Sequence, residues 1–203
     1  MHDEIGSRLT RISYFSELAL QEETPSKESL HSIADTIRDL LQTLDEIVWA
    51  VNPQNDTLEN LAAYLGYYVT EYLHNTSVEC KLDIPPNLPL IPLTAETRHN
   101  IFLAFEEALS NALRHSGATR VCVDMNQSDG RFEIRVQDNG RGFDRSGGGK
   151  NNSPDRKQRG NGLVNIVQRL ESVGGEANIE SNPGKGTVVT LRLWTKSKPK
   201  NSQ

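Results

Sequence analysis

Cysteine is scarce in this chain. Cys80 and Cys122 are the only two in 203 residues, and they lack both the number of a disulfide framework and the paired spacing of a zinc site. Both sit in apolar, strand-like runs, so reduced thiols in the cytoplasm are the expected state. No apolar run approaches the roughly 18 residues that a membrane span needs. Met1 is followed at once by His2, Asp3 and Glu4 rather than by the apolar core of a secretory signal. No membrane contact is therefore expected within this stretch. Positive charge is not in excess either: 22 Lys and Arg stand against 27 Asp and Glu, for a net charge of −5. The basic residues are scattered rather than gathered into a strip, which argues against nucleic acid as a partner. Internal repeats are also absent.

What is present divides the chain near residue 75. Leu30, Ile37, Leu44 and Val51 recur every seven residues, and Ile33, Leu40 and Ile47 form a second row with the same period. That is the seam of a helical bundle. Residues 1–22 carry a looser version, with Ile5, Ile12 and Ala19 in one row and Leu9 and Phe15 beside it. Thr24-Pro25-Ser26 interrupts the two, and Ser26 is a plausible cap for the second helix. Two helices cannot bury both stripes alone, so a second copy is expected to complete a dimeric four-helix bundle. Asn52-Pro53 ends the hairpin, and a further amphipathic helix over residues 57–74 leads onward. The expected division is a dimerisation hairpin at 1–55, a connecting helix at 56–77, a catalytic domain at 78–195 and a polar tail at 196–203.

From residue 78 the pattern is α+β. Short β-rich runs, VECKLDI, TRVCVDM, RFEIRVQD, EANIES and GTVVTLRLW, alternate with helices expected at 94–115, capped by Thr94, and at 161–173, ended by Gly174-Gly175. The first of these helices contains EEALSNALRHS. At about 100° per residue, Glu107, Asn111 and Arg114 fall within roughly 60° of one another and make a polar edge beside Phe105, Ala108, Leu109 and Ala112. Taken alone, that edge reads as a helix boundary with Glu107 paired to Arg114.

Three glycine signals downstream change its meaning: DNGRG at 138–142, GNGL at 160–163 and GKGT at 184–187. Gly140 and Gly142 follow a strand and let a ligand approach the backbone, with Asp138 offering a carboxylate at the strand end. Gly160 and Gly162 are expected just before a helix, where free N–H groups suit phosphate oxygens. A Walker motif fails because Gly149-Lys150 is followed by Asn151, and the Rossmann fingerprint fails because no glycine stands three positions after Gly162.

In this order, the Asn-bearing helix, the Asp-Gly-x-Gly turn, the Gly-x-Gly-Leu turn at Gly160, Gly162 and Leu163, and the late Gly-Thr resemble the GHKL ATPase superfamily over about residues 78–194. The resemblance implies an ATP pocket in an α/β sandwich of mixed sheet and helices. In it Asn111 would ligate Mg2+ through its amide oxygen, Glu107 would orient a nearby water, and Arg114 and His115 would stand near the phosphates. Asp138 would accept the adenine amino hydrogen, supported by the hydroxyl of Thr187. Residues 143–159, rich in Gly, Asn, Lys and Arg, resemble that family's ATP lid.

HDEIG at 2–6, opening a bundle helix, narrows the resemblance to a sensor histidine kinase with a His-Asp-x-x-Gly phosphoacceptor motif. That subfamily is typically coupled to response regulators carrying a LuxR-type DNA-binding domain. The resemblance implies autophosphorylation of His2, neutral and nucleophilic near its ordinary pKa of about 6.5, with Asp3 as orienter and base. Ser7 stands where the family has Gln, which leaves a phosphatase activity without its usual amide. The first bundle helix normally extends for turns before the histidine, so the expectation is a catalytic fragment, cytoplasmic or the cytoplasmic part of a membrane-anchored sensor. A GHKL protein-serine kinase of the anti-sigma type would share the pocket but lack the hairpin. A non-catalytic ATP-binding module would share everything except the transfer.

Overall fold

A computed structural model describes residues 9–10, 12–17, 27–74, 76–144 and 154–195 and divides the chain into a unit ending at Asn52 and a unit beginning at Pro53. In the first unit, α1 runs Lys27–Val51. Leu30, Ile37 and Leu44, one of the seven-residue rows, are exposed on it, as is Val48. Residues 9, 10 and 12–17 are helical as well. The helix cap expected at Ser26 and the interruption at 24–26 lie outside the described residues.

In the second unit, α2 spans Leu58–Leu73 and is capped by Thr57, whose hydroxyl accepts the Asn60 N–H at 3.2 Å. Residues 56–77 read in the sequence as a connector, yet α2 packs into this unit. Leu58, Leu61, Leu65 and Val69 are fully buried, and Tyr68 meets Phe102 edge-on at 5.0 Å. Its apolar residues fall at helical spacing and need a partner, which the neighbouring helix supplies.

The five expected strands form one sheet: β1 Glu79–Asp83, β2 Arg120–Ser128, β3 Arg131–Asp138, β4 Glu176–Ser181 and β5 Thr187–Trp194. The order is β1-β2-β3-β5-β4, with β1 parallel to β2 and all other pairs antiparallel. Asp129 and Gly130 close the β2–β3 hairpin with φ of 52° and 71°, the two positive values that a tight two-residue turn requires. Alternation then sends Val121, Val123 and Met125 of β2, Phe132, Ile134 and Val136 of β3, and Val189, Leu191 and Leu193 of β5 to one buried face. The register stacks them in rows, Val123–Val136–Val189 and Met125–Ile134–Leu191. Helices α3, Ala95–Arg114, and α4, Pro154–Ser172, pack against each other and against strands of this sheet. Thr94 caps α3 by accepting the Thr97 N–H at 3.1 Å.

One helix boundary differs from the sequence reading. The helix expected at 161–173 begins at Pro154, so Gly160 and Gly162 lie inside α4 rather than ahead of it. Proline suits the first helical position, and Arg156, Lys157, Gln158 and Arg159 are straight-chain helix formers, so a single helix runs through the glycine pair. The stretch expected as a lid is accordingly helical from residue 154, and residues 145–153 lie outside the described residues.

Candidate functional site

The strand period that fills the core also places the carboxylate. Phe132, Ile134, Val136 and Asp138 occupy every second position of β3, so Asp138 continues the buried row at the strand's end and is only 4% exposed. Burial pushes its carboxyl pKa up from the ordinary value, against the opposing hydrogen bonds of the Gly140 N–H, the Thr187 N–H and the hydroxyls of Thr187 and Ser116. The Gly140 N–H donates to Oδ1 at 2.8 Å.

Three turns are sewn together around this residue. The Arg141 N–H donates to the Ser116 carbonyl at 2.9 Å, and the Gly184 N–H donates to the Arg141 carbonyl at 2.6 Å. Asn139 Oδ1 accepts the Thr119 and Arg120 N–H groups at 3.0 and 2.9 Å, binding the strand end to the segment after α3. The glycines are needed for this closeness. A Cβ at Gly142 would overlap the Asn182 carbonyl, and one at Gly186 would overlap the Asp138 carbonyl; both have positive φ.

The third motif meets the polar edge of α3. A Cβ at Gly162 would overlap Glu107 Oε1, so α4 lies this close to α3 with Glu107 in its present place because residue 162 has no side chain. Glu107 is not paired with Arg114. It accepts from Asn111 Nδ2, which donates at 2.7 Å to the Glu107 carbonyl and at 2.8 Å to Oε1. Asn111 Oδ1 is left without a protein partner among the described residues.

A cavity of about 400 Å³ opens between these parts, within the usual size of a small-molecule pocket. Asn111, His115, Asp138, Gly142, Leu163 and Thr187, all singled out in the sequence, line it. Gly140 lies one layer back against Ser116, and Glu107 and Gly162 lie behind Asn111. Arg114 is exposed at the end of α3 and is not part of the lining. Gly160 falls within α4, while His2 and Asp3 lie outside the described residues. The sequence reading missed the walls and Ser116. Ala108 and Ala112, one turn apart, and Val136 and Val189, each two residues from a polar site residue on the same strand, make the apolar sides. Helical spacing and strand period could have found them. Ser116 carried no signal except its place before Gly117, which has a φ of 67°.

The arrangement suits a flat, partly apolar ligand that donates a hydrogen to Asp138. Among the described residues no group of three or more His, Cys, Asp or Glu could hold a metal. A cation here would draw on the single amide oxygen of Asn111 and take its other oxygens from ligand and water, a shell that hard Mg2+ accepts.

Residues 96–197, half of the chain, match the family described as histidine kinase-, DNA gyrase B- and HSP90-like ATPases, and the chain belongs to that family. Relatives that it matches include a sensor histidine kinase. It is 35% identical over 103 residues to an uncharacterised sensor-like histidine kinase of Chloroflexus aurantiacus, covering 50% of this chain and 17% of that protein. It is 31% identical over 124 residues to the sensor histidine kinase YdfH of Bacillus subtilis, covering 60% and 28%. With the sensor protein VraS of Staphylococcus aureus the figures are 33% over 93 residues, 46% and 24%. The matched stretch thus spans less than a third of each of these relatives. In fold, the chain resembles the histidine kinase domain of the Erythrobacter litoralis EL346 blue-light activated histidine kinase, with a TM-score of 0.52, 18% identity, and coverage of 94% of this chain and 95% of that one. It also resembles the Acinetobacter baumannii histidine kinase AdeS, with a TM-score of 0.58, 13% identity, and coverage of 96% and 98%. Among the described residues no helix is long and apolar enough to cross a membrane.

Proposed function

We propose that the chain is the catalytic part of a sensor histidine kinase, which binds Mg-ATP in the cavity between α3, α4 and the sheet, phosphorylates His2 and passes the phosphoryl group to an aspartate of a response regulator. The observation that carries the reading is that Asn111 and Asp138 line one cavity, with the amide nitrogen of Asn111 already held by Glu107. Asp138 takes the adenine amino group, backed by Thr187. Asn111 holds magnesium, with His115 beside the phosphates and Arg114 nearby, and Glu107 orients water. Bound magnesium would supply positive charge against the phosphoryl oxygens as charge shifts during transfer.

The chemistry on the chain's own side falls to His2 and Asp3. A neutral imidazole nitrogen of His2 attacks the terminal phosphorus, the bond to the ADP oxygen breaks, and Asp3 holds the hydrogen on the other ring nitrogen. Leu30, Ile37 and Leu44, exposed on α1, support a second copy packing there as a homodimer. The expected partner is a receiver domain attached to a LuxR-type output domain. The test is incubation of the full chain, and of a longer chain extended ahead of His2, with γ-labelled ATP and magnesium, followed by acid or alkali. Acid-labile, alkali-stable label that disappears in His2→Gln supports the proposal. Alkali-labile label on a partner protein would identify a serine kinase, and nucleotide binding with no transfer in either form would identify a binding module.

A further inference from the structure

The two ends of the proposed ligand site stand on different elements: Asp138 closes β3, whereas Asn111 belongs to the last turns of α3. Between them stands Asn139, which has no part in the scheme above and does not line the cavity. Its Oδ1 accepts two successive backbone N–H groups, from Thr119 at 3.0 Å and from Arg120 at 2.9 Å. Two amide donors aimed at one atom fix that atom as the oxygen, because a carboxamide nitrogen only donates. Nδ2 therefore faces the other way and donates to Thr119 Oγ1 at 3.0 Å. The Asn139 N–H adds a fourth bond, to the Arg120 carbonyl at 3.2 Å. Only Ser116, Gly117 and Ala118 lie between His115, the C-cap of α3, and Thr119. The Arg141 N–H holds the first of these through the Ser116 carbonyl at 2.9 Å. The short link leaving α3 is thus pinned at both ends to the turn that carries Asp138, and a Cβ at Gly140 would overlap Ser116, so the two segments lie in direct contact.

We propose that Asn139 is a positioning residue: by clamping the link that follows α3 onto the Asp138 turn, it sets the spacing between the base-reading carboxylate and Asn111. The inference rests on the roles proposed above for Asp138 and Asn111. A ligand held at both ends gains from a fixed spacing, because once one end is bound the other already faces its partner. A ligand held at one end gains nothing from it. ADP with magnesium engages both ends, whereas ADP without magnesium reaches Asp138 but brings no cation to Asn111. Asn139 is exposed, so in Asn139→Ala the released N–H groups of Thr119 and Arg120 turn to water. The core keeps its packing while the spacing loosens, and the loss falls on the magnesium-dependent part of binding.

The experiment is calorimetric titration of the full chain with ADP, once in magnesium and once in excess chelator. In Asn139→Ala the affinity in magnesium falls by roughly tenfold while the affinity in chelator stays close to wild type, so the ratio of the two drops. Asn139→Asp, whose carboxylate still accepts both N–H groups, returns the ratio. If Asn139→Ala does not fold, Asn139→Gln, which keeps the carboxamide but carries it one methylene too far, decides the matter by the same ratio. A side chain that served only the fold, or only the base end, would weaken ADP equally in both solutions. An unchanged ratio in the folded variant therefore overturns the proposal. Asn111→Ala separates the two failures: if it lowers the ratio and the Asn139 variants do not, Asn139 alone is misassigned, whereas a ratio indifferent to Asn111→Ala removes the magnesium reading as well.

Discussion

Asn111 gives its amide nitrogen twice to Glu107, one turn earlier on α3, at 2.7 Å to the carbonyl and 2.8 Å to Oε1. The pairing settles the orientation of the carboxamide, because the oxygen can only face the other way. The polar stripe thereby leaves one amide oxygen turned away from Glu107.

Asn111→Ala is expected to weaken ADP binding in magnesium by about tenfold or more, equivalent to at least about 1.4 kcal/mol. In excess chelator the variant and wild type should bind alike, and thermal denaturation should show little loss of stability because Asn111 is only partly buried. Titrations with and without magnesium check this. Equal losses under both conditions would mean that the oxygen serves the nucleotide or the fold instead.

Asp138 links stability to pH with a definite sign. Its folded-state pKa is raised above the ordinary 3.8 by burial, so the folded chain holds the proton more tightly than the unfolded chain. The resulting contribution to stability is fully present below the ordinary carboxylate value and is lost as pH rises through the raised one. Denaturant melts across that window should show a decline in wild type that is missing in Asp138→Asn. ADP binding should run the opposite way, strengthening as the carboxylate ionises. Identical pH profiles for the two proteins would remove Asp138 as the source.

Much of this was legible from spacing. Strands are short and β-rich, so their pattern located all five and put Asp138 at a strand end, though not that it continues a buried row; helical period found the edge at Glu107 and Asn111. What was not legible depended on contacts between elements distant in sequence. Arg114 shares the angular sector of Asn111 but sits at the helix end and does not line the cavity. Gly160 and Gly162 read as a helix start because glycine disfavours helix interiors, yet Gly162 is where α4 must clear Glu107. α2 read as a connector because nothing in its own sequence says that Phe102, some thirty-four residues after Tyr68, will cover it.

The glycines should separate by what an added methyl would strike. At Gly142 and Gly186 the obstacle is backbone and φ is 58° and 76°, so alanine is expected to cost about 1–3 kcal/mol each in chemical denaturation. At Gly162 the obstacle is the end of the Glu107 side chain, which can swing aside. Gly162→Ala should keep most of its stability while releasing Asn111 from Glu107, and should therefore lose magnesium-dependent ADP affinity. A Gly162→Ala variant that melts early but binds normally would reverse this assignment.

The last contrast concerns an ion pair at the start of the second unit. Arg98 of α3 is fully buried and is bonded to Asp56, whose side chain is 51% exposed, and it also donates to the Leu93 carbonyl at 2.8 Å. The Leu93 N–H donates back to the Asp56 carbonyl at 2.8 Å, and the Leu58 N–H donates to the Ile91 carbonyl at 2.9 Å, so the segment entering α2 is clasped to the segment entering α3. Exposure alone would rank Asp56 as the more expendable partner. Charge burial gives the opposite order, because Asp56→Ala leaves a guanidinium in the interior without this carboxylate, whereas Arg98→Met takes the charge out of the interior and leaves Asp56 to water. Breaking a buried pair from one side costs about 3–5 kcal/mol, and the water reaching Asp56 puts Asp56→Ala toward the lower end of that range. Arg98→Met should cost less, chiefly through the Leu93 carbonyl that loses its donor. Urea unfolding of the two variants decides the order; a greater loss in Arg98→Met would show that the arginine holds the clasp through packing rather than through charge.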